Sequence, residues 1–96
     1  RQKGAYLLQR LHQLESSRKI QITARGLGLI AGIELRDSRG NPATDVSLGI
    51  IKRLLHRGFI FLPEGEHANV ISWTPPLTIS RSQLDRSVQA LQEELP

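Results

Sequence analysis

The sequence predicts an α+β fold, with a mainly antiparallel sheet of three or four strands and helices on one face, in the order α-β-β-α-β-β-α. Three stretches place apolar residues at helical spacing, and short apolar runs that favour strands lie between them. The length of 96 residues fits a single domain over residues 1–96. Because Arg1 stands inside a helical pattern with no capping residue before it, we expect a fragment of a longer chain.

The first half of the chain predicts one helix and two strands. Residues 4–15 form an amphipathic helix whose apolar stripe consists of Leu7, Leu11 and Leu14. Residues 20–25 alternate apolar and polar side chains, which is typical of a half-buried strand. After an interruption at residues 25–28, the nearly continuous apolar run 29–35 indicates a strand that is covered on both faces, followed by a turn over residues 37–42.

A second helix is predicted from Thr44 or Asp45, either of which can cap it, to Gly58. Gly58 suits the left-handed position that closes a helix. The apolar residues that follow predict a third strand over 59–62, which ends at Pro63 because proline has no amide hydrogen for a sheet ladder.

The stretch 69–80 predicts a strand, a corner and the start of the last helix. A short apolar run over residues 70–73 reads as a buried strand, and Pro75 and Pro76 force the chain out of the sheet. Ser80 and Gln83 have the spacing of a capping box. The helix then buries one apolar stripe, which comprises Leu84, Val88, Leu91 and Leu95.

The apolar runs 29–35 and 59–62 predict that part of the sheet is covered from the side opposite the helices. Three short helices cover one side of a sheet of this size. We therefore expect the other side to dock on a larger body.

Composition limits the function classes. The net charge is +4 and the isoelectric point is about 10.4, but basic residues are spread beside acidic ones and aromatic residues are only 4%. RNA-reading sheets need exposed rings among the basic residues. We predict no nucleic-acid partner, and a basic RNA-binding domain remains the weaker alternative. No apolar run has the length of a membrane span, and the lack of cysteine favours a cytoplasmic, reducing location.

Three segments resemble motifs of class-III, pyridoxal-phosphate-dependent aminotransferases. Residues 25–35 read Arg-Gly-Leu-Gly-Leu-Ile-Ala-Gly-Ile-Glu-Leu, which is similar to the family segment Arg-Gly-Leu-Gly-Leu-Met-x-Gly-Ile-Glu-Leu. Residues 57–63 resemble the family strand Arg-Gly-Val-Leu-x-Leu. Residues 69–79 resemble the signature Asn-Val-Ile-Arg-x-x-Pro-Pro-Leu-Thr-Ile. The resemblance covers essentially the whole chain and implies the C-terminal small domain of a fold-type-I enzyme of the 4-aminobutyrate, ornithine and diaminopelargonate aminotransferase group.

The resemblance implies a homodimeric enzyme that moves an amino group between an amine or amino acid and a keto acid or aldehyde, with pyridoxal phosphate as cofactor. In that family, the cofactor-binding lysine lies in the large domain, which is missing here. Lys3, Lys19 and Lys52 lie in or beside helical surface patterns, and we expect them to be solvated. We therefore expect no catalytic and no cofactor-binding residue in this chain, and no activity of the isolated piece.

Ser72 departs from the family signature. Many members have an arginine at this position, where its planar fork can bind a substrate carboxylate with two hydrogen bonds. A hydroxyl does not replace that charge. We therefore predict a substrate whose carboxylate is held elsewhere, or one without a carboxylate at this place, with simple packing of Ser72 on a strand as the alternative.

Arg25 and Gly26 are the other candidate substrate-binding residues, because the loop that carries them could approach the active site. A salt bridge of Arg25 and a backbone role of Gly26 are the favoured alternatives. Glu64, Glu66 and His67 are adjacent polar residues of a loop and are expected to be solvated, so we predict no metal site. A stand-alone regulatory or interaction module also fits a fold without catalytic residues.

Overall fold

A four-stranded antiparallel sheet organises the chain, for which a computed structural model describes residues 2–27, 30–76 and 78–96. Its strands are β1 (Ile20–Leu27), β2 (Ile30–Asp37), β3 (Leu62–Glu64) and β4 (Val70–Trp73), in the spatial order β1-β2-β4-β3. The helices are α1 (Gln2–His12), α2 (Thr44–His56) and α3 (Arg81–Glu94). The predicted fold class and order of elements are confirmed. Gly28, Leu29 and Leu77, which belong to the predicted motifs, lie outside the described residues.

The inner face of the sheet packs against the helices. On β2 this face carries Ala31, Ile33 and Leu35, all of which are buried. The helices contribute much of one continuous core, and their fully buried residues include Leu7, Ile50, Leu54, Leu84 and Leu91. The apolar stripes predicted for the first and last helices therefore point into this core, with Leu14 and Leu95 partly buried at its margin.

The outer face of the sheet is not covered by the helices. On β2 it carries Ile30, Gly32, Glu34 and Arg36, so any cover on this side has to come from another body, as predicted for the run 29–35. The alternation of the strand sends its few polar residues to this one side. Two large apolar side chains remain exposed on it, Ile30 at 60% and Leu62 at 57%.

Two predicted strand boundaries are wrong. β1 runs on through Arg25 and Gly26, because both residues stay in register with β2 instead of interrupting the ladder. β3 begins at Leu62 and includes Pro63, whereas the prediction placed this strand over residues 59–62. β3 lies at the sheet edge, where a proline need not donate to a second neighbour.

The residues before β3 belong to the closing turn of α2. Gly58 adopts a φ of +92°, and its N–H donates to the carbonyl of Leu55. The N–H of Phe59 reaches back to the carbonyl of Leu54 at 2.8 Å. This pair of bonds is the Schellman arrangement that left-handed glycine permits, so the predicted end at Gly58 is confirmed.

The predicted cap of α2 is wrong, whereas that of α3 is confirmed. Ala43 is the N-cap of α2 without a side-chain bond, and the Thr44 hydroxyl instead donates to the His67 carbonyl at 2.5 Å. Ser80 caps α3, since its hydroxyl accepts from the Gln83 N–H at 3.1 Å and the Gln83 side chain accepts from the Ser80 N–H at 2.9 Å. Among the described helices, none combines the length and apolar character needed to cross a membrane.

Candidate functional site

A shallow hollow of about 320 Å³ lies on the outer face of the sheet, and all three predicted substrate-binding residues border it. Arg25 and Gly26 reach it from β1, and Ser72 reaches it from β4. The remaining wall comes from β2 and β4 and consists of Ile30, Ala31, Gly32, Glu34 and Val70. The hollow therefore joins residues that are 47 positions apart in sequence (72 − 25 = 47).

One cross-strand row explains the shape of this hollow. Arg25 pairs with Gly32 in the β1–β2 ladder, and Gly32 pairs with Ser72 in the β2–β4 ladder. Gly32 has no side chain to fill the middle of the row. An added Cβ would lie 2.8 Å from the carbonyl oxygen of Ile71 and 3.3 Å from the Cα of Ser72, so the floor of the hollow is a close backbone contact.

An ion-pair group borders the hollow on one side. The carboxylate of Glu34 accepts from the Arg25 guanidinium through Oε1 at 2.9 Å and from the Arg36 guanidinium through Oε2 at 2.8 Å. Glu34 is mostly buried, with a side-chain exposure of 14%, whereas Arg25 is 71% exposed. The salt bridge that was the favoured alternative for Arg25 is thus present, and it leaves most of the guanidinium accessible to solvent.

Ser72 and Gly26 contribute neutral parts of the wall. The Ser72 hydroxyl donates to the carbonyl of Leu62 on the edge strand at 3.2 Å, which ties it to its own sheet. An added Cβ at Gly26 would lie 3.2 Å from Cδ1 of Leu8, so this glycine lets α1 approach β1 and offers only backbone to the hollow. Arg25 is consequently the charged candidate among the three.

The described residues do not fit pyridoxal phosphate. The cofactor needs a lysine for its covalent link and an acidic partner for the ring nitrogen. Lys19 and Lys52 are exposed, Lys3 is half-buried on α1 rather than solvated, and none of the three lines the hollow. No step of cofactor chemistry is assigned to these residues.

Other predicted candidates are dispersed. Glu64, Glu66 and His67 are exposed, and within the described ranges no three acidic, histidine or cysteine side chains converge as a metal site would require. The four aromatic residues, Tyr6, Phe59, Phe61 and Trp73, are all buried or half-buried, and the tilted rings of Phe61 and Trp73 pack with their centroids 5.4 Å apart. This leaves the sheet without the exposed rings on which RNA bases stack.

The perturbed pKa values lie away from the hollow. At the ends of α2 and α3, hydrogen bonds to Glu93 and then Glu94 raise the pKa of Arg57. The Arg57 guanidinium in turn lowers the pKa of Glu93, and Arg53 together with Arg57 lowers that of Glu94. The contacts are 2.6 Å from Arg57 to Glu93 and 2.7 Å from Arg53 to Glu94. This clamp, defined by Arg53, Arg57, Glu93 and Glu94, joins two helices and has a structural role.

Sequence reasoning missed Glu34 and Gly32 as parts of the site. Both residues lie in the run 29–35, for which only a buried strand was predicted. Their importance follows from the β1–β2 register, which places Arg25 opposite Gly32 and diagonal to Glu34. That register was hidden because residues 25–28 were predicted to interrupt the strand.

Comparison with known proteins identifies one family. The family model described as aminotransferase class-III matches residues 1–95. The mitochondrial alanine–glyoxylate aminotransferase 2 homolog 2 of Arabidopsis thaliana is 34% identical over 90 residues, which are 92% of this chain and 19% of that protein. The L-lysine-epsilon aminotransferase of Mycobacterium bovis is 32% identical over 96 residues, covering 99% of this chain and 20% of that protein.

Solved structures with the same fold include a phospholyase and an aminotransferase. A phospholyase from Arthrobacter in complex with phosphoethanolamine superposes with a TM-score of 0.87 at 31% identity, covering 99% of this chain and 24% of that one. A lysine aminotransferase from M. tuberculosis gives a TM-score of 0.82 at 32% identity, with 99% and 20% covered. The chain therefore spans about a fifth of the length of the curated relatives it matches.

Proposed function

The chain belongs to the class-III aminotransferase family, and on that premise we propose that it forms the C-terminal small domain of a longer aminotransferase. The whole enzyme moves an amino group from an amine or amino acid to a keto acid or aldehyde. The observation that carries this proposal is the family match over residues 1–95 on an α+β fold that superposes on aminotransferase structures. Residues 1–96 make up the one small domain.

Pyridoxal phosphate is the cofactor of the full-length enzyme, and its binding lysine lies in the large domain. The exposed positions of Lys19 and Lys52 support the location of the cofactor-binding lysine outside this chain. So does the absence of any lysine from the described wall of the hollow. The cofactor supplies the electron-withdrawing group on which amino transfer depends. The contribution of this chain is to bind and orient substrate, and the isolated piece is inactive.

The outer face is the surface that meets the large domain. Exposed Ile30 and Leu62 lie on it, and large apolar side chains on an uncovered sheet face favour burial against another part of the protein. Substrate then lies at the hollow, against Arg25, Gly26 and Ser72. Because Ser72 offers a neutral hydroxyl, the substrate carboxylate is not held at this position.

The full-length enzyme is a cytoplasmic homodimer that acts on small amines and keto acids. Relatives named as lysine, 5-aminovalerate and alanine–glyoxylate aminotransferases support this substrate class. The two alternatives, a regulatory module and an RNA-binding domain, are less well supported, since the relatives are enzymes and the aromatic rings are buried or half-buried.

Cofactor-dependent amino transfer by the full-length protein tests the proposal. The purified protein is depleted of cofactor and then supplied with pyridoxal phosphate, an amine donor and a keto acid, and the amino acid formed is quantified by chromatography. We expect transfer that depends on added cofactor, and none from residues 1–96 alone. A full-length protein that binds the cofactor but transfers no amino group from any donor in a broad panel of amines would contradict the proposal.

A further inference from the structure

Arg25 is placed to reach across the hollow toward Ser72. The two residues belong to the same row, with Gly32 between them on β2. Neighbouring strands lie about 4.8 Å apart, so the backbones of Arg25 and Ser72 are separated by about 10 Å. A ligand of a few atoms can therefore lie over Gly32 with the long arginine side chain at one end and the serine hydroxyl at the other.

The guanidinium of Arg25 still has hydrogen-bonding capacity. An arginine side chain carries five N–H donors, and one of them donates to Glu34 Oε1. Its other N–H groups make no hydrogen bond within the described residues. Because 71% of the side chain is exposed, two neighbouring N–H groups of the guanidinium are available to donate to an acceptor on a ligand.

The ion-pair group that borders the hollow favours an anion over a cation, because the unused donors belong to Arg25. Arg25, Glu34 and Arg36 together carry a net charge of +1, and each carboxylate oxygen of Glu34 is already occupied by one arginine. An ammonium group would therefore have to compete with two guanidinium groups for the carboxylate of Glu34. The other carboxylate on this face, Glu64, lies in the neighbouring row on the edge strand, opposite Val70.

We infer that Arg25 binds the anionic group, a carboxylate or a phosphate, at the end of the substrate away from the reacting amine. This inference rests on the proposed function and names the substrate class of the same hollow: an amine with an anionic tail. The planar fork of arginine matches the two oxygens of either group with paired hydrogen bonds. In many family members an arginine at position 72, on the strand equivalent to β4, can bind a substrate carboxylate. Here Arg25 binds the anion instead, from β1, which lies two strands away.

Matched pairs of donors test this inference in the full-length protein. The carboxylate pair is 4-aminobutyrate and butylamine, and the phosphate pair is phosphoethanolamine and ethanolamine. In Arg25→Ala, we expect kcat/KM for the anionic member of at least one pair to fall by about 10- to 100-fold, mainly through KM, because a charge-assisted paired contact is lost. The neutral member should change by less than about 2-fold. The pair that responds identifies the anion.

Two control variants separate charge from geometry. Arg25→Lys keeps the positive charge but loses the fork, and it should lie between wild type and Arg25→Ala. Arg39→Ala removes the same charge from an exposed turn that does not border the hollow, and it should leave the ratio within each pair unchanged. Equal losses for both members of each pair, or no loss in either, would overturn the inference.

A binding measurement separates failure of this inference from failure of the proposed function. Glutarate and methyl phosphate are unreactive anions, and their effect on the Tm of the full-length protein needs no catalysis. At least one should raise the Tm of wild type and leave that of Arg25→Ala unchanged. If wild type transfers no amino group, the proposed function fails while this measurement still tests Arg25. Equal stabilisation of both proteins, or of neither, would overturn the anion site itself.

Discussion

Replacing Gly32 with alanine tests the close approach of β2 and β4 that forms the floor of the hollow. The new Cβ would lie 2.8 Å from the carbonyl oxygen of Ile71, and this oxygen belongs to backbone that cannot swing aside. Overpacking of this kind costs about 1–3 kcal/mol, whereas removing a glycine from a strand gains about 0.5–1 kcal/mol. We expect a net loss of about 1–2 kcal/mol in the free energy of unfolding, because the backbone contact outweighs the entropy gain.

Urea unfolding of residues 1–96, followed by circular dichroism, measures this loss. In a thermal unfolding experiment, the same loss of about 1 kcal/mol would lower the Tm of a domain of this size by about 4–8 °C. Gly49→Ala is the matched control, because its Cβ would meet only a side-chain atom, Nη1 of Arg53 at 3.2 Å within α2, and no backbone of a neighbouring strand. Alanine should stabilise that helix by about 0.5–1 kcal/mol. If both variants stabilise the chain, the account of the β2–β4 contact is refuted.

Three further predictions concern the cap of α3, the clamp and the substrate. Ser80→Ala removes one half of the capping box of α3, and urea unfolding should show a loss of about 1 kcal/mol; an unchanged midpoint would count against the cap. Arg57 lowers the pKa of Glu93 and helps to lower that of Glu94 below the ordinary 4.5, so the stability that the clamp contributes is present above pH 4.5 and is lost as the pH falls through the lowered values. The difference in urea midpoint between wild type and Arg57→Ala should therefore shrink between pH 6 and pH 3, and a constant difference would show that the clamp does not titrate as described. Ser72→Arg in the full-length protein should improve kcat/KM for 4-aminobutyrate or ornithine, and an unchanged or reduced preference in steady-state assays would contradict the role given to position 72.

Local chemistry made most of the fold predictable. The Ser80 and Gln83 pair, the glycine at position 58 and the alternation along residues 20–25 each specify a structure through nearby atoms, and all three are confirmed. The cap of α2 was not predictable in the same way. Thr44 has the right chemistry for a cap, but its hydroxyl bonds the carbonyl of His67, a partner 23 residues away.

The site was only partly predictable, because its geometry depends on strand register. The candidates Arg25, Gly26 and Ser72 were chosen from family motifs, and the structure places all three around one hollow. What the sequence does not state is which residues lie opposite one another. Gly32 and Glu34 became part of the site only through the pairing of three strands, which is a long-range property of the fold.

The central claim is that the outer face meets the cofactor-bearing part of the enzyme and that Arg25 binds the anionic group of the substrate. The most direct test is a crystal structure of the full-length protein with pyridoxal phosphate and an unreactive carboxylate or phosphate analogue of an amine substrate. The account predicts that the outer face lies against the cofactor-bearing part of the enzyme and that the Arg25 guanidinium lies within about 3 Å of the anionic oxygens of the analogue. An outer face open to solvent, with Arg25 and Ser72 remote from both cofactor and analogue, would contradict it.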